Sequence, residues 1–245
     1  MYIVLILAAL LTSLISGVLS MAGGMILMGV FGLFLSVPAA MVLHGVTQTA
    51  SNGSRIWLYR RHIRWLVLIP YAAGAFACLA IFAAFAFVPS KGLLFIIIGS
   101  FPFLAIRLPK SMELDMERKP VSMTCGFVVT LAQLLAGASG PILDIFYIQS
   151  RLTRFEILGT KAITQTLGHI IKLVYYAFFI SIAVDIPEYV YPLVVAAAIA
   201  GNALGKLVLE QMSDAQFRTI GRRIVMVIGA FYVGKGIYEL LIPLV

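Results

Sequence analysis

Two polar stretches recur inside apolar runs, Val46-Thr47-Gln48-Thr49 and Ile163-Thr164-Gln165-Thr166. An offset of 117 positions lays His44 on Lys161, Gln48 on Gln165, Asn52 on His169 and Arg55 on Lys172. Spacings of four, four and three put each set on one helical face. Each face ends in a cation. In a low-dielectric setting, hydroxyls, amides and a fixed cation hold the oxygens of an anion by hydrogen bonds and charge. Thr47, Gln48, Thr49, Asn52, Arg55, Thr164, Gln165, Thr166, His169 and Lys172 are therefore candidate binding residues.

Each candidate has a structural alternative. Arg55 and Lys172 can snorkel to the nearer interface, and Arg55 stands within about a turn of its helix end. Lys172 reads as deeper and as the surer ligand. Gln48 and Gln165 can serve as interhelical hydrogen-bond glue, and the threonines can bond back to their own helix. Asn202 reads as a lining group or as glue. Asp144 and His169 are the residues able to carry a coupling proton; the alternative for Asp144 is an ion pair with Arg151 or Arg154.

Composition says where these residues must lie. The chain of 245 residues is 62% hydrophobic and only 11% charged, with a mean hydropathy of +1.04. A soluble domain is excluded, and an all-α integral membrane protein in a lipid bilayer is expected. The net charge of +8 clusters beside apolar runs, as membrane orientation requires, so nucleic acid is not expected as a partner. The first twenty residues lack a basic leader and a cleavage site and read as structure. Cys78 and Cys125 sit in apolar context, with no disulfide expected.

About eight hydrophobic segments follow. Residues 3–20 are apolar up to a glycine break at Met21-Ala22-Gly23-Gly24, and a short piece, 25–35, comes next. Ser36-Val37-Pro38 marks a helix start, Ser36 as N-cap, for a helix over 37–59 that carries the first stripe. Helices at 65–88 and 91–106 precede a charged stretch. The pattern then repeats: 121–136, a break at Gly137-Ala138-Ser139-Gly140-Pro141, a short piece over 142–150, and helices at 155–182, 189–210 and 221–243. Residues 1–108 and 121–245 thus form two repeats of one transmembrane domain, with 109–120 as a cytoplasmic connector.

Charge chooses between two topologies. Were each break to interrupt a single crossing, the repeats would be parallel and basic loops would fall on both sides. Were each broken segment a re-entrant hairpin, each repeat would cross three times and the repeats would be inverted. Loops 60–64, 107–119, 151–154 and 211–223, with most of the arginines, would then all be cytoplasmic, and both termini outside. The inverted topology is preferred. Broken elements at the midplane of inverted repeats are a recurrent transporter architecture.

The breaks at Ser20-Met21-Ala22-Gly23-Gly24 and Gly137-Ala138-Ser139-Gly140-Pro141, the repeated halves, the length and the Thr-bearing second helix resemble the TauE/SafE sulfite exporter family. Met25 stands where that family's pattern has a further glycine. The resemblance implies a bacterial inner-membrane carrier of sulfite, organosulfonates or related sulfur-containing or carboxylic anions. It also implies that Gly23, Gly24, Ser139, Gly140 and Pro141 line the site.

The expectation is a secondary transporter working by alternating access on a small anion, with a coupling proton or ion. A homodimer stays open. Two alternatives stand beside it: an anion channel, and an intramembrane serine protease using Ser139 and His169. Against the protease, Ser139 aligns with Ala22 in the other repeat. Paired carboxylates, zinc-ligand spacings and a Walker loop are absent from the sequence, so neither cofactor nor metal is expected.

Overall fold

The computed structural model describes residues 1–19, 22–107, 114–147, 152–180, 186–209 and 214–242. Among them the chain forms ten α-helices and no strand. The first half of the chain supplies α1 (Tyr2–Leu19), α2 (Ala22–Phe34), α3 (Val37–Tyr59), α4 (Trp65–Phe85) and α5 (Lys91–Arg107). The second supplies α6 (Lys119–Ala136), α7 (Gly140–Ile145), α8 (Arg154–Val174), α9 (Val190–Leu209) and α10 (Asp214–Leu241).

Trp65–Phe85, Lys119–Ala136 and Arg223–Leu241 are long and apolar enough to cross a bilayer by themselves. The stripe-bearing helices α3, of 23 residues, and α8, of 21, are not among them. Their polar faces lower the hydropathy, and neighbouring helices cover those faces instead of lipid.

Local signals explain most of the boundaries. Helix α3 has the expected limits, with Pro38 in its first turn. Ser36 has the extended backbone of a cap, but its side chain makes no capping bond. The complete capping box is instead at α8, where Thr153 and Glu156 satisfy each other's backbone N–H. Helix α6 ends at Gly137, whose φ of 75° suits glycine, and the Gly137 N–H donates to the Gln133 carbonyl at 2.9 Å.

Four expectations need correction. The helices resume at Ala22 and at Gly140, so Gly23, Gly24, Gly140 and Pro141 belong to first turns and not to irregular backbone. The piece expected over 142–150 is the short helix Gly140–Ile145. The helix expected to run to 182 leaves α-geometry at Tyr175, where a π-helical turn, Tyr175–Phe179, takes over. Helix α10 starts at Asp214, so most of the loop expected over 211–223 is helical. Ser20, Met21, Lys110, Glu113, Arg151 and Asp185 lie outside the described residues, as do the side chains of Arg154, Arg218 and Arg222.

Helices from the two halves of the chain pack on one another. Helix α1 runs parallel to α9: Tyr2 meets Tyr189 with ring centroids 6.4 Å apart, and Gly201 lies against the backbone of Leu10 and Leu14. Helix α4 runs parallel to α6: Ser122 donates to the Val67 carbonyl at 2.8 Å, and Gly126 lies against Tyr71. The other two large pairs are antiparallel. Gly45 of α3 abuts Leu173 of α8, while Gly159 of α8 abuts Tyr59. Gly92 of α5 abuts Gly236 of α10, while Gly99 abuts Gly229. Small residues allow these close approaches. Exchanging each helix for the one five places along leaves the four pairs unchanged. Cys78 and Cys125 are buried and free.

Candidate functional site

The antiparallel pair α3 and α8 brings the two polar stripes face to face. At one end stands His44 opposite Lys172, and at the other end of α8 stands Lys161. Between them is a polar cavity with room for no more than about one water molecule. Helix α3 contributes His44, Gln48 and Arg55, and α8 contributes Gln165 and His169. The first break supplies Gly24 and Met25, with Ser16 from α1. The second break supplies Ala138, Ser139 and Gly140.

The glycines have specific jobs here. A Cβ on Gly23 would lie 2.1 Å from both Ser16 Oγ and the Thr12 carbonyl oxygen, so the tight approach of α2 to α1 requires glycine at that position. A Cβ on Gly168 would lie 1.9 Å from Gln133 Oε1. Glycine there lets Gln133 reach the His169 ring, its Nε2 standing 3.5 Å from His169 Nε2.

Side-chain bonds run along the α3 stripe. Arg55 donates to Asn52 Oδ1, and Asn52 Nδ2 donates to the Gln48 carbonyl at 2.9 Å. Asn52 therefore orients Arg55 without lining the cavity. At the other end His44 Nε2 lies 2.8 Å from the Gly24 carbonyl oxygen. Lys172 Nζ lies 2.8 Å from His44 Nδ1 and donates to the Gly137 carbonyl at 2.8 Å. A carbonyl only accepts, so His44 carries its proton on Nε2 and accepts from Lys172 at Nδ1. The carbonyls of both breaks are thus joined through two side chains.

Of the residues read from the sequence, the cavity gathers Gly24, Gln48, Arg55, Ser139, Gly140, Gln165 and His169. Thr47, Thr164 and Thr166 spend their hydroxyls on carbonyls one turn back in their own helices. Thr49 and Pro141 stand outside the lining. Asn202 is glue, donating to Ser51 and Ser54 of α3. Asp144 pairs with Lys161; Arg151 and the Arg154 side chain, the alternative partners expected from the sequence, lie outside the described residues. Lys172 is the deeper of the two cations, as expected, but it is Arg55 that lines the cavity, while Lys172 is locked beside it.

His44, Ser16 and Gln133 are additions. The offset of 117 that aligns the stripes also lays Ser16 on Gln133 and Ser13 on Thr130. All four are buried. Polar residues sharing that offset in the apolar helices α1 and α6 were the available signal.

Five buried polar atoms of the lining have no partner among the described residues: Gln48 Nε2, Arg55 Nε, Ser139 Oγ, Gln165 Oε1 and His169 Nδ1. Buried polar groups are ordinarily paired, and most of these can donate. The arrangement suits an oxyanion. It does not suit serine catalysis, because no hydrogen bond joins Ser139 to His169.

Residues 5–232 match the family described as Sulfite exporter TauE/SafE. No curated protein matches the chain, and no solved structure does. The match spans both stripes and both breaks. The chain belongs to the TauE/SafE sulfite exporter family, membrane transporters of sulfite and related anions and not enzymes.

Proposed function

We propose that the chain is a secondary transporter that moves sulfite, an organosulfonate or a related sulfur-containing or carboxylic anion across the bacterial inner membrane by alternating access. The observation that carries this reading is the convergence on one cavity of five buried polar atoms, Arg55 Nε among them, that are unpaired among the described residues. The guanidinium and the Gln48 amide meet the anion's oxygens, with Ser139, Gln165 and His169 completing the shell. The first turn of α2, which begins at Ala22, adds the Gly24 backbone N–H, which its helix leaves free.

Two inverted repeats frame the site in this reading. Its support is the antiparallel course of α3 against α8 and α5 against α10, together with the parallel pairs α1 with α9 and α4 with α6. Such a set maps onto itself when inverted halves are exchanged. The basic loops 60–64 and 107–119 then face the cytoplasm. A cavity this small admits no sulfonate until the repeats part, and rocking of one against the other opens it to each side in turn. A coupling proton or ion moves with the anion in this reading.

Purified protein is tested by thermal shift against sulfite, sulfate, alkanesulfonates and short carboxylates. At least one anion raises the melting temperature of the native chain and fails to do so in Arg55→Ala. Equal shifts in both proteins, or none in either, would discard the reading.

A further inference from the structure

We infer that His44 Nδ1 is a proton-binding site masked by Lys172 and unmasked by the transported anion, so that one anion is carried with one proton. The inference rests on the anion-binding reading above. It starts from a feature that reading does not use. Lys172 and His44 are both fully buried, at 0% exposure, and among the described residues neither meets a carboxylate. Among the described residues Lys172 Nζ has a neutral imidazole nitrogen and one carbonyl oxygen for partners. A buried cation with partners this poor is held ready for a better one.

The cavity supplies that partner. His44 belongs to its lining, so an anion seated against Arg55 and Gln48 lies beside the pair. Lys172 then turns its Nζ–H from His44 Nδ1 to an anion oxygen. This leaves Nδ1 as an accepting nitrogen with no donor, next to a negative charge. A proton from water binds there, giving an imidazolium that keeps its Nε2–H on the Gly24 carbonyl. Without the anion the same protonation would set two cations against each other in one hydrogen bond, which the geometry forbids.

The other groups around the pair do not do this work. His169 lies on α8 with its ring 5.4 Å from that of His44, and its Nε2 is engaged by Gln133 of α6. Arg55, further along α3, is held by Asn52. Asp144 of α7 is held by Lys161 of α8. Helices α1 and α2 turn Ser16 and Met25 to the cavity, and neither carries a charge. Tyr175 and Tyr176, just beyond α8, donate to the carbonyls of Phe87 and Leu134.

The test uses the full chain in detergent with methanesulfonate, which stays ionised throughout, so any proton taken up comes to the protein. A pH-indicator dye reports uptake as the anion is added, and calorimetry gives affinity at several pH values. The native protein takes up about one proton per anion bound, and its affinity falls about tenfold per pH unit on the alkaline side, as one linked proton requires. This second measurement needs no variant to fold. His44→Gln binds without uptake, and His62→Gln, altered in an exposed turn, behaves as the native chain. Binding without uptake, or uptake that survives His44→Gln and disappears in His169→Gln, overturns the proton site alone. Absence of binding by native protein overturns the anion reading and the proton site together.

Discussion

Gly99 of α5 and Gly229 of α10 touch backbone to backbone. A Cβ on Gly99 would lie 2.6 Å from the Gly229 carbonyl oxygen, and one on Gly229 would lie 2.8 Å from the Gly99 carbonyl oxygen. The contact is reciprocal, and neither backbone can yield without moving a helix. Gly99→Leu is therefore expected to force α5 from α10 at a cost of roughly 1–3 kcal/mol, or to prevent recovery of folded protein. Gly53 in α3, where a Cβ would meet nothing within 4 Å, is the control. Gly53→Ala keeps stability within about 1 kcal/mol of the native chain. Thermal melting in one detergent compares the two, and equal losses would contradict the packing described.

Arg55 is expected to be the main determinant of anion affinity. A charge-assisted hydrogen bond to a desolvated oxyanion contributes about 1.5–3 kcal/mol, so Arg55→Ala weakens binding on the order of tenfold to a hundredfold. Arg55→Lys recovers only part of this, since a lysine cannot present two parallel N–H groups. Asn52→Ala weakens binding less, because it frees the guanidinium without removing it. Calorimetric affinities rank the three, and an Asn52→Ala defect larger than that of Arg55→Ala would reverse the roles.

What the sequence discloses follows from how polarity is distributed. Helix α3 is legible to both ends, because Ser36-Val37-Pro38 starts it, Arg60 and Arg61 follow it, and its stripe has helical spacing. The start of α10 is not, because Arg218, Arg222 and Arg223 read as a loop. A helix can extend beyond the hydrocarbon into the headgroup layer, where such charges cost little. That Arg55 lines the cavity although it stands near a helix end has a related reason. Distance from a helix end sets depth only for a helix facing lipid, and α3 is enclosed by α2, α8 and α9. Three of the four threonines that first draw the eye, Thr47, Thr164 and Thr166, turn inward to their own backbones. The less conspicuous Gln48 and Gln165 keep unpaired atoms for the cavity.

Gly168 separates site geometry from stability. Alanine there drives Gln133 away from His169, since its Cβ would overlap Gln133 Oε1 at 1.9 Å. The amide is a flexible side-chain end and can retreat, so Gly168→Ala is expected to melt within roughly 2 kcal/mol of native. Affinity for the anion nevertheless falls severalfold as the His169 ring loses its restraint. Unchanged affinity with a large drop in stability would make Gln133 a packing residue only.

Orientation is tested at two exposed positions on elements the inverted arrangement puts on opposite sides. Glu188 precedes α9, and Arg61 lies in the turn Arg60–His62 after α3; both are exposed. In a chain with Cys78 and Cys125 replaced by serine, Glu188→Cys is expected to react with a membrane-impermeant thiol reagent applied to intact cells. Arg61→Cys reacts only after the membrane is opened. The two helix directions leave no intermediate result. In the antiparallel pair, the end of α3 bearing Tyr59 meets the start of α8 at Gly159. The end of α8 meets the carbonyl of Phe87, on the far side of α4, through Tyr175. Labelling of both cysteines from outside would place the ends of α3 and α8 on one side of the membrane, which a pair of single-crossing antiparallel helices cannot do.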